Sequence, residues 1–195
     1  MIKAMVATLG SAALVAWVLM LLPSVNDAVL GDKPRERKDF ARMCEGGEPF
    51  PRAASYEPGS APHPWVVIED GWDPYSSMGT TKKESAGRKD PDPDSVQLVA
   101  CSAVSGSIPD TDIPCVYDRH GVGAATMSIK FAQGRSTVYV REARTGDLIR
   151  KAVLEGDEKV ECSETVTTTE PDYTRPNRDA YVDLFAEVAA TRDSP

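Results

Sequence analysis

The chain has 195 residues, 41% of them hydrophobic, and a formal net charge of −8 at pH 7; that length suits one compact domain plus an attachment segment rather than two large domains. Lys3 is the only charged side chain before Asn26, so removing its single positive charge from −8 leaves −9 on the remainder. Such acidity argues against duplex nucleic acid and anionic lipid as partners and otherwise reads as solubility. The fold class expected from the residue patterns is mainly β (α+β): an N-terminal transmembrane helix, a small antiparallel β-sheet domain with disulfides, and a C-terminal amphipathic helix.

Residues 5–22 are uncharged and almost wholly apolar, and Pro23 closes the run. Eighteen such residues are of membrane length. A cleaved signal carries a shorter apolar region and a small-x-small site, whereas Asn26-Asp27-Ala28 begins on a poor residue for that site. An uncleaved single-pass anchor is therefore expected, with secretion after cleavage as the alternative. Cys44 lies too far from the apolar run to be a lipidation site. Orientation is argued from two sides. Lys33, Arg35, Arg37 and Lys38 follow the segment, and the positive-inside rule would hold that flank in the cytoplasm. Four cysteines, with no CxxC pair and no His in zinc spacing, read instead as two disulfides in an oxidising compartment. The C-terminal domain is accordingly expected outside the membrane.

The organisation expected is 1–26 anchor or signal, 27–47 juxtamembrane helix, 48–175 β-rich extracytoplasmic domain, and 176–195 C-terminal helix and tail. In the second segment Asp32 is expected to cap a helix with early Pro34, Gly46-Gly47 ends it, and Phe40, Met43 and Cys44 share one face. Residues 49–64, rich in Pro, Gly, Ser and Ala, read as an extended strap over the domain. A strand at 65–69, a turn at Asp70-Gly71 and a pairing strand at 72–75 come next. The polar run 76–94 is expected to be a loop. Residues 96–104 form an apolar strand buried on both faces, 105–114 are turn-rich, and 115–117 resume a short strand. The clearest pattern covers 125–155: Met127, Ile129 and Phe131, then Val138 and Val140, alternate with polar residues as half-buried strands do. With a third strand at 148–155, and Gly134 and Gly146 supplying positive φ at the connections, these predict an antiparallel meander. Residues 160–162 are expected to end the sheet and 163–171 to link it to a helix over 176–191. In that helix Tyr181, Leu184, Phe185 and Val188 recur at i, i+3, i+4 and i+7, with Thr174 as cap.

Several fragments in order, namely 53–56 (Ala-Ala-Ser-Tyr), Pro62-His63-Pro64, 98–101 (Leu-Val-Ala-Cys), Cys115-Val116-Tyr117, 138–143 leading into Thr145-Gly146, and Cys162, resemble a loose group of uncharacterised exported or membrane-anchored actinobacterial proteins. The resemblance implies an envelope location and a small β-rich domain with paired cysteines. It brings no catalytic residues.

Both histidines read as structural: His63 is fixed between Pro62 and Pro64, and His120 sits in a turn of Asp118-Arg119-His120-Gly121. No G-x-S-x-G pattern presents a serine nucleophile. Asp90, Asp92 and Asp94 alternate as in a calcium loop, but prolines stand between them and Cys101 occupies the twelfth position where a glutamate belongs. Asp110 and Asp112 read as a solvated turn, and 120–123 lacks the helix start and lysine of a phosphate loop. No catalytic, cofactor or metal residues are assigned. The expected function is a non-enzymatic, envelope-anchored accessory or binding module. It would meet the membrane through 5–22 and an envelope protein or cell-wall polymer through its domain, with no nucleic acid. Two alternatives are a small hydrolase using His120 with Asp118, and a wall-sugar module using Trp65 and Trp72 as an aromatic platform, against which core packing weighs. Of the three possible cysteine pairings, antiparallel neighbours carrying Cys101 and Cys115 predict one bridge, leaving Cys44 for Cys162.

Overall fold

A computed structural model describes residues 31–59, 62–80, 83, 90–118, 126–164 and 171–190. The expected membrane segment 5–22 lies outside the described residues, among which no helix is long and apolar enough to cross a membrane.

Every residue of β1 (Trp65–Glu69) is buried, which a strand achieves only with apolar layers on both sides. It pairs antiparallel with β2 (Trp72–Ser77) through a two-residue turn. Asp70 and Gly71 there have φ of 50° and 80°, the left-handed pair that an Asp-Gly hairpin turn supplies. On its other edge β1 runs parallel to β3 (Leu98–Ser107), Trp65 opposite Leu98 and Glu69 opposite Ser102. β3 then pairs antiparallel with β6 (Gly134–Glu142), and β6 with β7 (Leu148–Glu155), so the five-stranded order is β2-β1-β3-β6-β7. Trp65, Val67, Leu98, Ala100, Val138 and Val140 meet Tyr181, Leu184, Phe185 and Val188 of α2 (Arg178–Ala190) on one face. The α2 stripe is buried as its spacing predicts. On the opposite face Val66, Ile68 and Val99 meet Phe40, Met43, Phe50 and Ala53, carried by a 3-10 turn (Arg37–Phe40), α1 (Ala41–Glu45) and the strap. The strap is tied down where the Phe50 N–H donates to the Ala143 carbonyl at 2.9 Å and the Ala54 N–H to that of Asp94 at 3.0 Å.

The expected single antiparallel meander is corrected. The fold has two sheets, each mixing parallel and antiparallel pairs. β5 (Thr126–Ala132) does not pair with β6 but joins β4 (Ile113–Asp118) and β8 (Asp172–Tyr173) in a second sheet, order β4-β5-β8. Its small core is Cys115, Ile129 and Phe131. The chain changes sheets at Gln133. That residue is buried with three of its polar groups held: its N–H donates to Thr111 Oγ1 (3.0 Å), its carbonyl accepts from Ile108 (2.8 Å), and its Nε2 donates to the Gly156 carbonyl (2.9 Å). Gly134 therefore serves space rather than positive φ, since a Cβ there would collide with the Thr174 carbonyl and lie 3.2 Å from Tyr173 Cβ. Gly146, at φ 78°, does turn β6 into β7.

The cysteine pairing is also corrected. All four are bridged, as Cys44–Cys101 (Cα–Cα 5.3 Å) and Cys115–Cys162 (5.6 Å). Cys101 and Cys115 sit on strands of different sheets, so the expected neighbourhood never forms. Cys101 instead faces the α1 layer and Cys44. Cys162 lies on no strand, against the expectation that 160–162 end the sheet. Both helix caps differ too. Asp39 Oδ2 accepts from the N–H groups of Arg35 and Glu36 at 2.8 and 2.9 Å, while Asp32 takes Arg42 at 2.6 Å. For α2 the Ala180 N–H donates to Asn177 Oδ1 at 3.1 Å. Thr174 is occupied elsewhere, accepting from the Gly134 N–H and donating to the Asp157 carbonyl.

Candidate functional site

A partly buried cluster of titratable side chains gathers where the β1–β2 turn meets the segment entering α2. The tight turn fixes Glu69 and Asp70 side by side. Arg175 spans them, with Nη1 3.3 Å from Glu69 Oε1 and Nη2 2.7 Å from Asp70 Oδ2. Glu69 is 5% exposed. Burial raises its pKa, the Arg175 charge opposes that, and the Asp70 charge adds to it. Tyr75 and Tyr181 stand behind, ring centroids 5.6 Å apart, and the Tyr181 hydroxyl donates to Ser102 Oγ at 2.8 Å. Both phenols are raised, first by burial; Ser102 opposes the shift at Tyr181, and the Glu69 charge adds to both. Chemically the cluster can hold a proton on Glu69. Mechanically it clamps the chain before α2 onto the β1–β2 hairpin. Sequence reasoning missed it, although an acid ending the apolar run of Trp65-Val66-Val67-Ile68 was a signal.

Most of the residues singled out from sequence serve packing or ion pairs. His63 is wholly buried, its Nδ1 2.7 Å from Gln97 Oε1 and its ring edge-on to Tyr56 at 4.9 Å, a structural placement. His120 lies outside the described residues, and of Asp118 only its place at the end of β4 is described. Trp65 is no sugar platform: it is fully buried, stacked on Phe185 at 4.5 Å, with its indole N–H donating to the Gly79 carbonyl at 3.0 Å. Trp72 is described only as the first residue of β2. Asp90 is taken up by Arg37 (2.6 Å) and Ser76 (2.7 Å), and Asp94 by Lys33 (2.6 Å). The hydrogen bond from Lys33 holds the Asp94 carboxyl below its usual range. Asp112 pairs with Lys130. Among the described residues no three His, Cys, Asp or Glu side chains converge as metal ligands would.

Two surface features stand apart from that cluster. A groove of about 320 Å³ runs between the strap, the start of β7 and the end of α2, lined by Tyr56, Pro58, Leu148, Ile149, Arg150 and Val188 among others. Along β7 itself Leu148, Ile149 and Val153 are 51%, 37% and 55% exposed. The adjacent apolar pair Leu148-Ile149 breaks period-two alternation, which is the mark the sequence carried of an apolar residue on the open face. Compared with known proteins, the chain matches no family model, no curated protein and no solved structure.

Proposed function

We propose that the chain is a non-enzymatic accessory or binding module of the cell envelope, carried outside the membrane by an uncleaved anchor at 5–22. The observation that carries this reading is the use of the cysteines: all four are consumed in two bridges, an arrangement that persists in an oxidising compartment. One bridge fastens α1 to β3 and the other fastens the coil after β7 to β4. The groove beside the strap is the surface assigned to an envelope protein or cell-wall polymer, because apolar Leu148, Ile149 and Val188 there adjoin the polar groups of Tyr56 and Arg150.

Protease added to intact spheroplasts tests the reading. The domain should be digested while a cytoplasmic marker survives. Digestion only after lysis would place the domain inside and remove the basis for the proposal.

A further inference from the structure

β7 forms one edge of the five-stranded sheet. The Gly156 N–H donates to the Gly134 carbonyl at 2.8 Å, and Leu154, Ala152 and Arg150 stand opposite Ser136, Val138 and Val140. Even-numbered residues thus turn their peptide groups inward to β6, and those of Lys151, Val153 and Glu155 face outward. Ala152 and Leu154 pack against the α2 side, so Lys151, Val153 and Glu155 share the opposite face. All three are exposed, with Lys151 over the Tyr139 ring at 5.2 Å.

We propose that this edge pairs with the same edge of a second copy, antiparallel about a two-fold axis at Val153, joining two five-stranded sheets into one. The charge pattern selects the occupant and the register. A two-fold axis perpendicular to the sheet keeps each side chain on its own face, so only residues an even number apart can stand opposite. Centred on Val153, the pairing sets Lys151 of each copy against Glu155 of the other and Val153 against Val153. Ala152 then faces Leu154 on the α2 side. Centred on Lys151, it would set two ammonium groups face to face; centred on Ala152, it would set Lys151 against Val153 and leave both charges without a partner. Of these three registers only the one centred on Val153 sets each charge against its opposite, so the residues that would guard this edge against indiscriminate pairing favour it. The inference is independent of the compartment assigned above.

Sedimentation velocity on the full chain in detergent, over a concentration series, tests it. A reversible dimer is expected. Lys151→Glu and Glu155→Lys should each weaken it about tenfold or more, since either places like charges opposite each other twice, and the double exchange should restore it. All three positions are exposed, and circular dichroism checks that the fold is kept. Val153→Cys should give a covalent dimer under mild oxidation, because hydrogen-bonded opposite residues lie about 5.5 Å apart at Cα; Ile149→Cys should not. A chain that stays monomeric overturns the proposal. So does a dimer indifferent to both charge reversals, or a Val153→Cys adduct to some other protein.

Discussion

Replacing Cys44 and Cys101 together by alanine tests one of the two bridges that the sequence reading did not expect. The bridge closes a separation of 57 residues, and the chain-entropy model gives such a loop a stabilisation of about 4 kcal/mol. For the Cys115–Cys162 bridge, separation 47, the logarithmic dependence lowers that by only about 0.2 kcal/mol. Chain entropy alone therefore makes the two double variants equal, and packing distinguishes them. Cys44 lies beside Phe40, Met43 and Phe50, which are already buried, so its loss should lower the main transition without detaching α1. At about 2 to 4 °C per kcal/mol for a domain of this size, Tm should fall by about 8 to 16 °C. Loss of Cys115–Cys162 frees the coil after β7 from a sheet whose buried core, among the described residues, is Cys115, Ile129 and Phe131, so hydrogen exchange there should rise even where the main transition survives. Thermal unfolding without reductant, with exchange read by mass spectrometry, supplies both numbers. A Tm loss under about 3 °C for the Cys44/Cys101 variant would refute the magnitude. A non-reducing peptide joining Cys101 to Cys115 would refute the pairing itself.

Phe185→Ala should cost about 3 to 5 kcal/mol in denaturant unfolding, because it empties the fully buried site stacked on Trp65; a cost below about 1 kcal/mol would mean that α2 is not docked there. Gly156→Ala should destabilise by about 1 to 3 kcal/mol, since the new methyl meets Thr174, whose main chain is held by the Ala132 carbonyl. An unchanged midpoint would show that the Thr174 segment yields. Glu69 has a folded-state pKa above its ordinary value, so the folded state binds the extra proton. Its contribution is fully present below the unfolded-state pKa and is lost as pH rises through the raised folded-state value. Glu69→Gln should flatten that decline in urea midpoints measured across the acid range, and parallel profiles for the two proteins would contradict it.

Local pattern was legible wherever one element's own neighbours decide its state. The apolar run of β1 announced a strand, Asp70-Gly71 announced its turn, and the Tyr181, Leu184, Phe185 and Val188 stripe announced a docked helix. The same reasoning erred where distant segments decide. β5 and β6 alternate alike and stand a single residue apart, which on local grounds is a hairpin. What separates them is the 172–174 segment, which pairs with β5 and fills the space that Gly134 leaves beside Thr174. That insertion comes from residues almost forty positions downstream, and no periodicity records it. The cysteine pairing failed for the same reason, because proximity along the chain was taken for membership of one sheet. Thr174 and Asn177 are both capping residue types three positions apart, and only the tertiary demand on Thr174 leaves Asn177 to cap α2. Of the Glu69 cluster the acid was visible and its partner Arg175 was not.

The two sheets are stabilised in different ways. The five-stranded sheet carries an apolar layer on each face, with Trp65, Tyr181, Phe40 and Phe185 wholly buried, and the Cys44–Cys101 bridge adds to a face that is already packed. Among the described residues the three-stranded sheet has three buried core residues, Cys115, Ile129 and Phe131, with Ile113, Tyr117, Met127 and Val160 partly buried against them, and one of the three is itself a bridge residue. Its order therefore rests on two attachments from outside, Cys162 to Cys115 and the Thr174 segment held between Gly134 and Gly156. The first is covalent and depends on redox conditions. The second is a hydrogen-bonded latch: Thr174 donates its N–H to Ala132 and its hydroxyl to Asp157, while that hydroxyl accepts from Gly134. Since the latch belongs to the chain that goes on to form α2, docking of α2 on the large sheet also positions β8 in the small one. A reducing environment removes one attachment and leaves the other, so the small sheet loosens while the large sheet and its α2 face persist.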